Sequence, residues 1–415
     1  MSTELENAIQ SINTAADRAT KTTEFIDQWS TYDDQSDVTN PNNNVTVPSA
    51  QKKVKQILDE FGISASAAQE AADSASNYAT LAANSATESA SNAAYIQALE
   101  NISGSKWTII IDDFGNSQIV RRIPIHTFED LNITNCPFTG PLDCFIRQDL
   151  TLRPYVDVPV YEASNSGGKA VSQAGKTPWT SINADTARAR SEELNSNSVM
   201  ISQEIWAMLC WNMISQGFQP RGNTEFGRSH SNKNEFGRRV DGKVPNDRSG
   251  AACTLTGSGP MEWSHDGTPF GVMDLVGNVW KWVDGMKMVD GQFIVAEYTG
   301  QPEVEWVASG VYISETGQFT NAAPVTLNSG HQVWGSMTKA AGYKGNERLQ
   351  RLIIEPIACT SSLLGRFYWN LRGERFPLRG GHWAYASSAG PAALSCSNPR
   401  SYANSNIGFR SAFVY

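Results

Sequence analysis

The closing stretch of the chain, Leu378–Tyr415, reads LRGGHWAYASSAGPAALSCSNPRSYANSNIGFRSAFVY. Both of its ends have the texture of buried structure. Gly380–Gly381 lets backbone approach backbone closely before Trp383 packs. Ile407, Phe409, Ser411, Phe413 and Tyr415 fall on alternate positions, which predicts a single strand closing a domain. The middle keeps neither a helical nor a strand period. It is crowded with Ser, Asn, Ala and isolated aromatics, the residues least able to specify a core.

Outward from that segment, the totals bound the answer. A chain of 415 residues predicts two or three units. With 40% hydrophobic and 18% charged residues, 12 Trp and 33 Gly, the composition predicts a soluble, loop-rich protein. The net charge is −9 with no Lys/Arg stripe, which argues against nucleic acid. No basic amphipathic helix addresses a membrane surface, and no apolar run approaches the roughly 20 residues that span a bilayer. The N-terminus, MSTELENAIQSINTAADRAT, lacks the basic start and apolar core of a signal peptide. Six cysteines, at 136, 144, 210, 253, 359 and 396, include no C-x-x-C pair and are read as free, mostly buried thiols.

The first hundred residues have a different character. Val54, Leu58, Phe61, Ala65, Ala68, Ala72, Ala75, Ala79, Ala82, Ala86, Ser89, Ala93 and Ile96 alternate steps of four and three, the a and d positions of a coiled coil. Alanines bury little area each, so this helix needs copies of itself to be stable. A shorter seam, Leu5 to Ile26, precedes it across a turn-rich stretch, Thr31 to Ala50. KWTIIIDDFG and QIVRRIPI then predict strand, turn and strand. Two helical patterns follow, TARARSEELN and SQEIWAMLCWNMISQG, the second started by Ser202 and stopped by Gly217. Beyond it, Gly-, Asn- and Trp-rich loops alternate with short apolar runs, which predicts an α+β domain. In DLVGNVWKW, Gly277–Asn278 predicts a turn, with Val279 on one face of the strand after it and Trp280 and Trp282 on the other.

Three ordered blocks carry a resemblance: TPWTSINADTARARSEEL with SQEIWAML; WSHDGTPFGVMDLVGNVWKW, Trp263 to Trp282; and LRGGHW…NPRS…NIGFR, Leu378 to Arg410. Together they resemble the formylglycine-generating-enzyme branch of the C-type lectin fold, and more closely the hypervariable target-binding proteins of diversity-generating retroelements, phage tropism determinants among them. The resemblance covers roughly 155 to 415. It implies a lectin-fold head over 156–415, behind an N-terminal attachment helix at 1–30, a linker at 31–53, an Ala-rich coiled-coil shaft at 54–101 and a β-rich connector at 102–155.

The departures define the function. The enzyme relatives use paired cysteines shortly after the GG-x-W/Y block, where this chain has HWAYASSAGP, and Cys396 comes later without a close partner in sequence. The five histidines are scattered, so no metal ligand set is expected. Lys281 stands where those relatives carry Glu, which argues against calcium there. The EPN and QPD motifs of sugar-binding lectins are absent. An enzyme of the formylglycine-generating type, a calcium-dependent carbohydrate lectin and a diversified cell-surface display protein are therefore the rivals to a non-enzymatic binding head without cofactor.

In retroelement-diversified proteins, adenine-directed mutagenesis turns AAY codons into NNY, which cannot encode Lys, Gln, Glu, Met or Trp. From Arg366 to Tyr415 there is no Lys, Gln or Met, and the single Glu is Glu374. The resemblance thus implies a variable, target-contacting set of Phe367, Tyr368, Asn370, His382, Ala384, Tyr385, Ser388, Ser395, Ser397, Asn398, Tyr402, Asn404 and Ser405, with Trp369 and Trp383 in the fixed frame. Tyr supplies rigid contact area, and Ser and Asn supply adaptable hydrogen bonds. The expectation is the receptor-binding tip of a phage or prophage tail fibre, a homotrimer made in the bacterial cytoplasm and carried on the virion. Its N-terminus would meet other tail or baseplate proteins, and its head a host-surface protein or glycan.

Overall fold

The computed structural model describes residues 37–39, 46–48 and 92–415. The N-terminal seam and most of the Ala-rich seam, Val54 to Ser89, lie outside the described residues. The chain divides into two compact units, Met1–Ile109 and Ile110–Tyr415. The described residues are mostly β, with four α-helices.

In the first unit, β1 (Asp37–Thr39) and β2 (Thr46–Pro48) pair antiparallel, Val38 opposite Val47, inside the stretch expected to be linker. Helix α1 (Asn92–Ser103) carries Ala93 and Ile96 and buries Leu99. It stops at Gly104, φ +61°, and the Ser103 hydroxyl accepts from the Trp107 N–H at 3.0 Å. Strand β3 (Trp107–Ile111) starts there.

The second unit continues in chain order with β4 (Ser117–Pro124), β5 (Tyr155–Pro159), a hairpin of β6 (Ser164–Ser166) and β7 (Lys169–Val171), α2 (Ala184–Glu192), β8 (Ser198–Met200) and α3 (Gln203–Gln216). Then come β9 (Trp280–Trp282), β10 (Met286–Val289), β11 (Gln292–Val295), β12 (Val307–Ile313), β13 (Phe319–Thr320), β14 (Ser329–Val333) and α4 (Glu347–Arg351). The chain closes with β15 (Arg366–Asn370), β16 (Glu374–Arg379), β17 (Leu394–Asn398), β18 (Ile407–Phe409) and β19 (Ser411–Val414).

Within this unit β4, β5, β19 and β8 pair in that order, each antiparallel to the next. The second unit begins at Ile110, inside the stretch 102–155 expected as a connector, and within it β4 runs beside β5 from Val120↔Pro159 to Pro124↔Tyr155. The larger sheet has the order β13-β12-β11-β10-β16-β17-β15-β14, with β9 joining β16 to β18.

The closing strand expected from Ile407 to Tyr415 is two strands. At Arg410 the chain leaves β9 and passes to β5 and β8. At that break the buried Arg410 guanidinium donates to the carbonyls of Pro159 and Met273. Every residue from Ile407 to Phe413 is buried, so the alternation separates two cores rather than core from solvent: Ile407, Phe409 and Phe413 in one, Ala412 in the other.

Helix α3 lies at the centre. Ser202 caps it by accepting from the Ile205 N–H, and Gly217, φ +61°, ends it. Every residue from Gln203 to Met213 is buried, the mark of a helix covered on all sides. Its Trp206 donates to the Pro391 carbonyl at 2.8 Å, tying the helix to the chain just before β17.

Candidate functional site

The frame of the site comes first. Gly277 and Asn278 both have positive φ, +73° and +55°, and form the expected turn. A Cβ on Gly277 would stand 2.1 Å from the Asn223 carbonyl oxygen, so no side chain fits. Past the turn, Val279 packs with Trp383, Ala252 and Cys253, while Trp280 and Trp282 share the other cluster. Gly380 is equally tight, with the Leu275 carbonyl 2.2 Å from where its Cβ would be. Arg379 is wholly buried and donates to Gln203 Oε1 and to the Ile353 carbonyl.

On that frame β15 alternates strictly. Phe367 and Trp369 point into the core with Phe293, Leu394 and Cys396, while Arg366, Tyr368 and Asn370 stay partly exposed. The register aligns His331 of β14 and Ser395 of β17 with Tyr368. Ser329 and Val333, like His331, are exposed. The loop after β16 lays Tyr385 against this row: its ring lies 5.6 Å from Tyr368, 5.3 Å from Trp280 and 4.3 Å from His382, and His331 is 5.5 Å from Tyr368. Five rings from four separated stretches of sequence thus form one connected cluster, floored by the buried Trp280 and open at His331, Tyr368 and Tyr385.

The loop carrying Tyr385 is held by its backbone. The Ala386 N–H donates to the Thr224 carbonyl at 2.9 Å and the Trp383 N–H to the Asn278 carbonyl at 3.0 Å. The loop after β17 is held by Arg400, which pairs with Glu303, Glu374 and Asp185 and lies 4.4 Å over the Phe376 ring. Backbone bonds from Ser181 to Asn404 and from Ala184 to Arg400 fix its ends. Its tip is free to make contacts: Tyr402 is 38% exposed, Asn404 and Ser405 are exposed, and the Asn404 amide donates to the Tyr402 hydroxyl at 3.0 Å.

The thirteen expected contact residues therefore divide. Ala384, Tyr402, Asn404 and Ser405 are exposed, and Tyr368, Asn370, Tyr385, Ser388, Ser397 and Asn398 are half-buried at the surface. Phe367 is a correction: with no exposure at all, it is core, because its neighbours in register put odd positions of β15 inward. Ser395 and His382 are also buried, at 6% and 8% exposure, and line the face from beneath. Trp369 and Trp383 are buried, as a frame requires. Sequence reading missed His331 and the floor residue Trp280 as parts of this cluster. Neither lies in the Arg366–Tyr415 segment, and only strand pairing brings them to it.

Burial, and then the Lys281 charge, lower His382 to about 4, so its ring carries no charge near neutral pH. Burial first, then the neighbouring Tyr368, pushes the Tyr385 phenol up. Below the face the charges are internal. Lys281 pairs with Glu162 at 2.8 Å, and Asn278 donates to the same carboxylate at 2.6 Å. The Cys210, Cys253 and Cys396 thiols are each pushed up to about 12 by burial, which leaves almost no thiolate at neutral pH. Among the described residues no three His, Cys, Asp or Glu side chains group as metal ligands, and no helix is long and apolar enough to cross a membrane.

No family model matches the sequence, and no curated protein matches it. Solved structures with a related backbone include the Major Tropism Determinant I1 variant, 12% identical, with 74% of this chain and 71% of that chain covered and a TM-score of 0.28. The Major Tropism Determinant P3c variant has the same identity and coverage with a TM-score of 0.29. PvdO from Pseudomonas aeruginosa is 13% identical over 74% of this chain and 98% of that one, with a TM-score of 0.31. At this level the likeness decides neither fold nor function.

Proposed function

We propose that the protein is a non-enzymatic receptor-binding tip of a phage or prophage tail fibre. Its head would be of C-type lectin type and would recognise a host-surface protein or glycan. The observation that carries the reading is the aromatic face. Tyr368, Tyr385 and His331 gather at the surface, and Asn370, Ser397, Tyr402, Asn404 and Ser405, exposed or half-buried, are the candidate polar partners. Rigid aromatics beside adaptable hydroxyls and amides suit a surface that must accept different targets on one backbone. Tyrosine rings contribute large contact area while keeping a polar tip for hydrogen bonds. The Ala-rich seam at 54–101 would join three chains, so that several heads engage one surface and raise effective concentration. The N-terminus would serve attachment to the tail or baseplate.

The test is genetic. The locus should carry a reverse transcriptase gene and a near-copy of the segment encoding Arg366 to Tyr415. Deep sequencing of the propagated population should find substitutions at Tyr368, Asn370, Ala384, Tyr385, Ser388, Ser397, Asn398, Tyr402, Asn404 and Ser405, while Phe367, Trp369 and Trp383 stay constant. Substitutions spread evenly over the head, or no template copy, would sink the diversification reading.

A further inference from the structure

Strand β14 ends the larger sheet and pairs only with β15. The bonds flanking that pair fix which way each peptide group points. The Leu371 N–H donates to the Asn328 carbonyl, and the Trp334 N–H to the Gly365 carbonyl. In an antiparallel ladder, residues that exchange hydrogen bonds alternate with residues that do not. Gly330 and Gln332 therefore bond to β15, and the N–H and C=O groups of Ser329, His331 and Val333 point away from it. Among the described residues no hydrogen bond reaches those six groups, and all three residues are exposed. The opposite end of the sheet is covered, because Phe319 of β13 bonds on its outer side to Thr338 and Ala340.

Sheet edges are usually blunted by charge, proline or a bulge. From Ser329 to Val333 there is no Lys, Arg, Asp, Glu or Pro, and the register with β15 runs unbroken from Ser329↔Asn370 to Val333↔Arg366. The open edge also borders the aromatic face. Partners in register share one side of a sheet, so Ser329, His331 and Val333 stand beside Asn370, Tyr368 and Arg366. Arg366 is half-buried, and its buried Nε has no hydrogen-bond partner among the described residues.

The chemistry of this edge selects its occupant. Three outward donors and three outward acceptors, repeating about every 7 Å, match another extended polypeptide. A sugar ring offers no such repeat. A second copy of this chain is a poor fit, because β14 spans only about 17 Å and a specific dimer covers roughly 800 Å² on each partner.

We propose that the outer edge of β14 captures an extended segment of a host-surface protein as an added strand, with an acidic side chain of that segment near Arg366. The proposal rests on the receptor-binding reading above and makes the target a protein rather than a glycan. Main-chain bonds would supply grip that does not depend on side-chain identity, while the rings of His331 and Tyr368 would select alternate side chains.

Val333 supplies the test. Its φ of −59° is that of proline, and its N–H points outward, so Val333→Pro removes an edge donor and no bond to β15. Its melting curve should match the parent's. The probe is a library of capped seven-residue peptides, with Val, Thr, Tyr or Phe at odd positions and Ser or Asp at even ones. Peptides selected on the full chain should slow hydrogen exchange at Ser329, His331 and Val333 about tenfold or more. Val333→Pro should weaken them about tenfold, and Arg366→Gln should remove the preference for Asp. Methylating every second peptide nitrogen should abolish binding in one phase and spare it in the other. That pair leaves the protein unaltered and decides alone if Val333→Pro melts below the parent. No selected peptide, unprotected edge amides or tolerance of both phases would overturn the proposal. So would full attachment of Val333→Pro to cells on which Tyr402→Ala fails, or attachment that survives protease-shaving of the cells, and either result would leave the receptor-binding reading standing. Protected edge amides in a protein that attaches to no host cell would sink that reading and keep the edge.

Discussion

The Lys281 ammonium stands 2.8 Å from a Glu162 carboxylate oxygen, and neither side chain has more than 1% of its surface exposed. The same ammonium donates to the Gly277 carbonyl at 2.7 Å, and the other Glu162 oxygen accepts from Asn278 at 2.6 Å. One buried ion pair therefore locks the turn from which Trp280 and Trp282 are projected. Removing one member leaves the other charge buried and uncompensated, at a cost of about 3–5 kcal/mol. Lys281→Met should destabilise the fold by that amount in urea unfolding. Adding Glu162→Gln should restore much of the loss, because the paired neutral side chains carry no stranded charge. Strictly additive losses would contradict the coupling.

Asp274, in the same buried network, gives a pH signature. Burial first, and then the Glu162 charge, hold its carboxyl up at about 7, against an ordinary 3.8. Between those values the folded protein keeps a proton that the unfolded chain has released. Its contribution to stability is therefore fully present below about pH 4 and declines as pH rises to about 7. Asn is neutral throughout, tolerates the positive φ of +59° at this position, and keeps an oxygen for the Gly257 N–H. Asp274→Asn should gain on the parent as pH rises, reaching on the order of 2–4 kcal/mol by pH 8. Two melting series from pH 4 to 8 measure the difference. His265 and His382, both lowered to about 4 by burial, act in the opposite direction in both proteins and cancel.

Scaffold and face should separate under mutation. Trp383 is 7% exposed and packs with Val279, Ala252 and Cys253, so Trp383→Ala should cost about 3–5 kcal/mol. Tyr402→Ala should stay within about 0.5 kcal/mol, as exposed positions usually do. Tyr385 falls between, because its ring lies against Trp280 and His382 while one side meets solvent. On cells that the parent binds, the proposed face predicts that Tyr402→Ala weakens attachment even though its melting curve is unchanged. Full binding by both tyrosine variants would remove them from the contact set.

What the sequence made legible was local. The Ser202 cap, the Gly217 stop and the Gly277–Asn278 turn depend on residues within a few positions, and each falls where read. The seam of α1 continues a pattern that the described residues carry only at its end. Which side of a five-residue strand faces inward is different. Phe367 and Tyr368 are equally aromatic and equally permitted by the codon argument, and only the pairing with β14 and β17 separates them. The same limit hid the break at Arg410, because nothing beside that residue in sequence reveals the Pro159 and Met273 carbonyls waiting for it. His331 reaches the face through pairing alone.

Arg400 decides how firmly the last loop is presented. Its guanidinium joins Glu303 and Glu374 and covers Phe376, yet its side chain is 30% exposed, so solvent screens part of each pair. Burial alone would raise the Glu303 carboxyl, but hydrogen bonds from Arg400, Lys287 and Arg188 outweigh it and hold that group at about 2. A depressed carboxyl stabilises above its unfolded value, about 4.5 here, and that contribution is lost as pH falls toward 2. Arg400→Ala should therefore cost only about 1–2 kcal/mol overall, near the upper end for a partly exposed network. It should nonetheless raise amide hydrogen exchange across residues 399–406 several-fold while leaving α3 protected. The parent should show the same local opening on acidification from pH 5 to pH 3, and the variant should show no further change. If exchange in that loop is equal in parent and variant at pH 7, the Ser181–Asn404 and Ala184–Arg400 backbone bonds alone hold it.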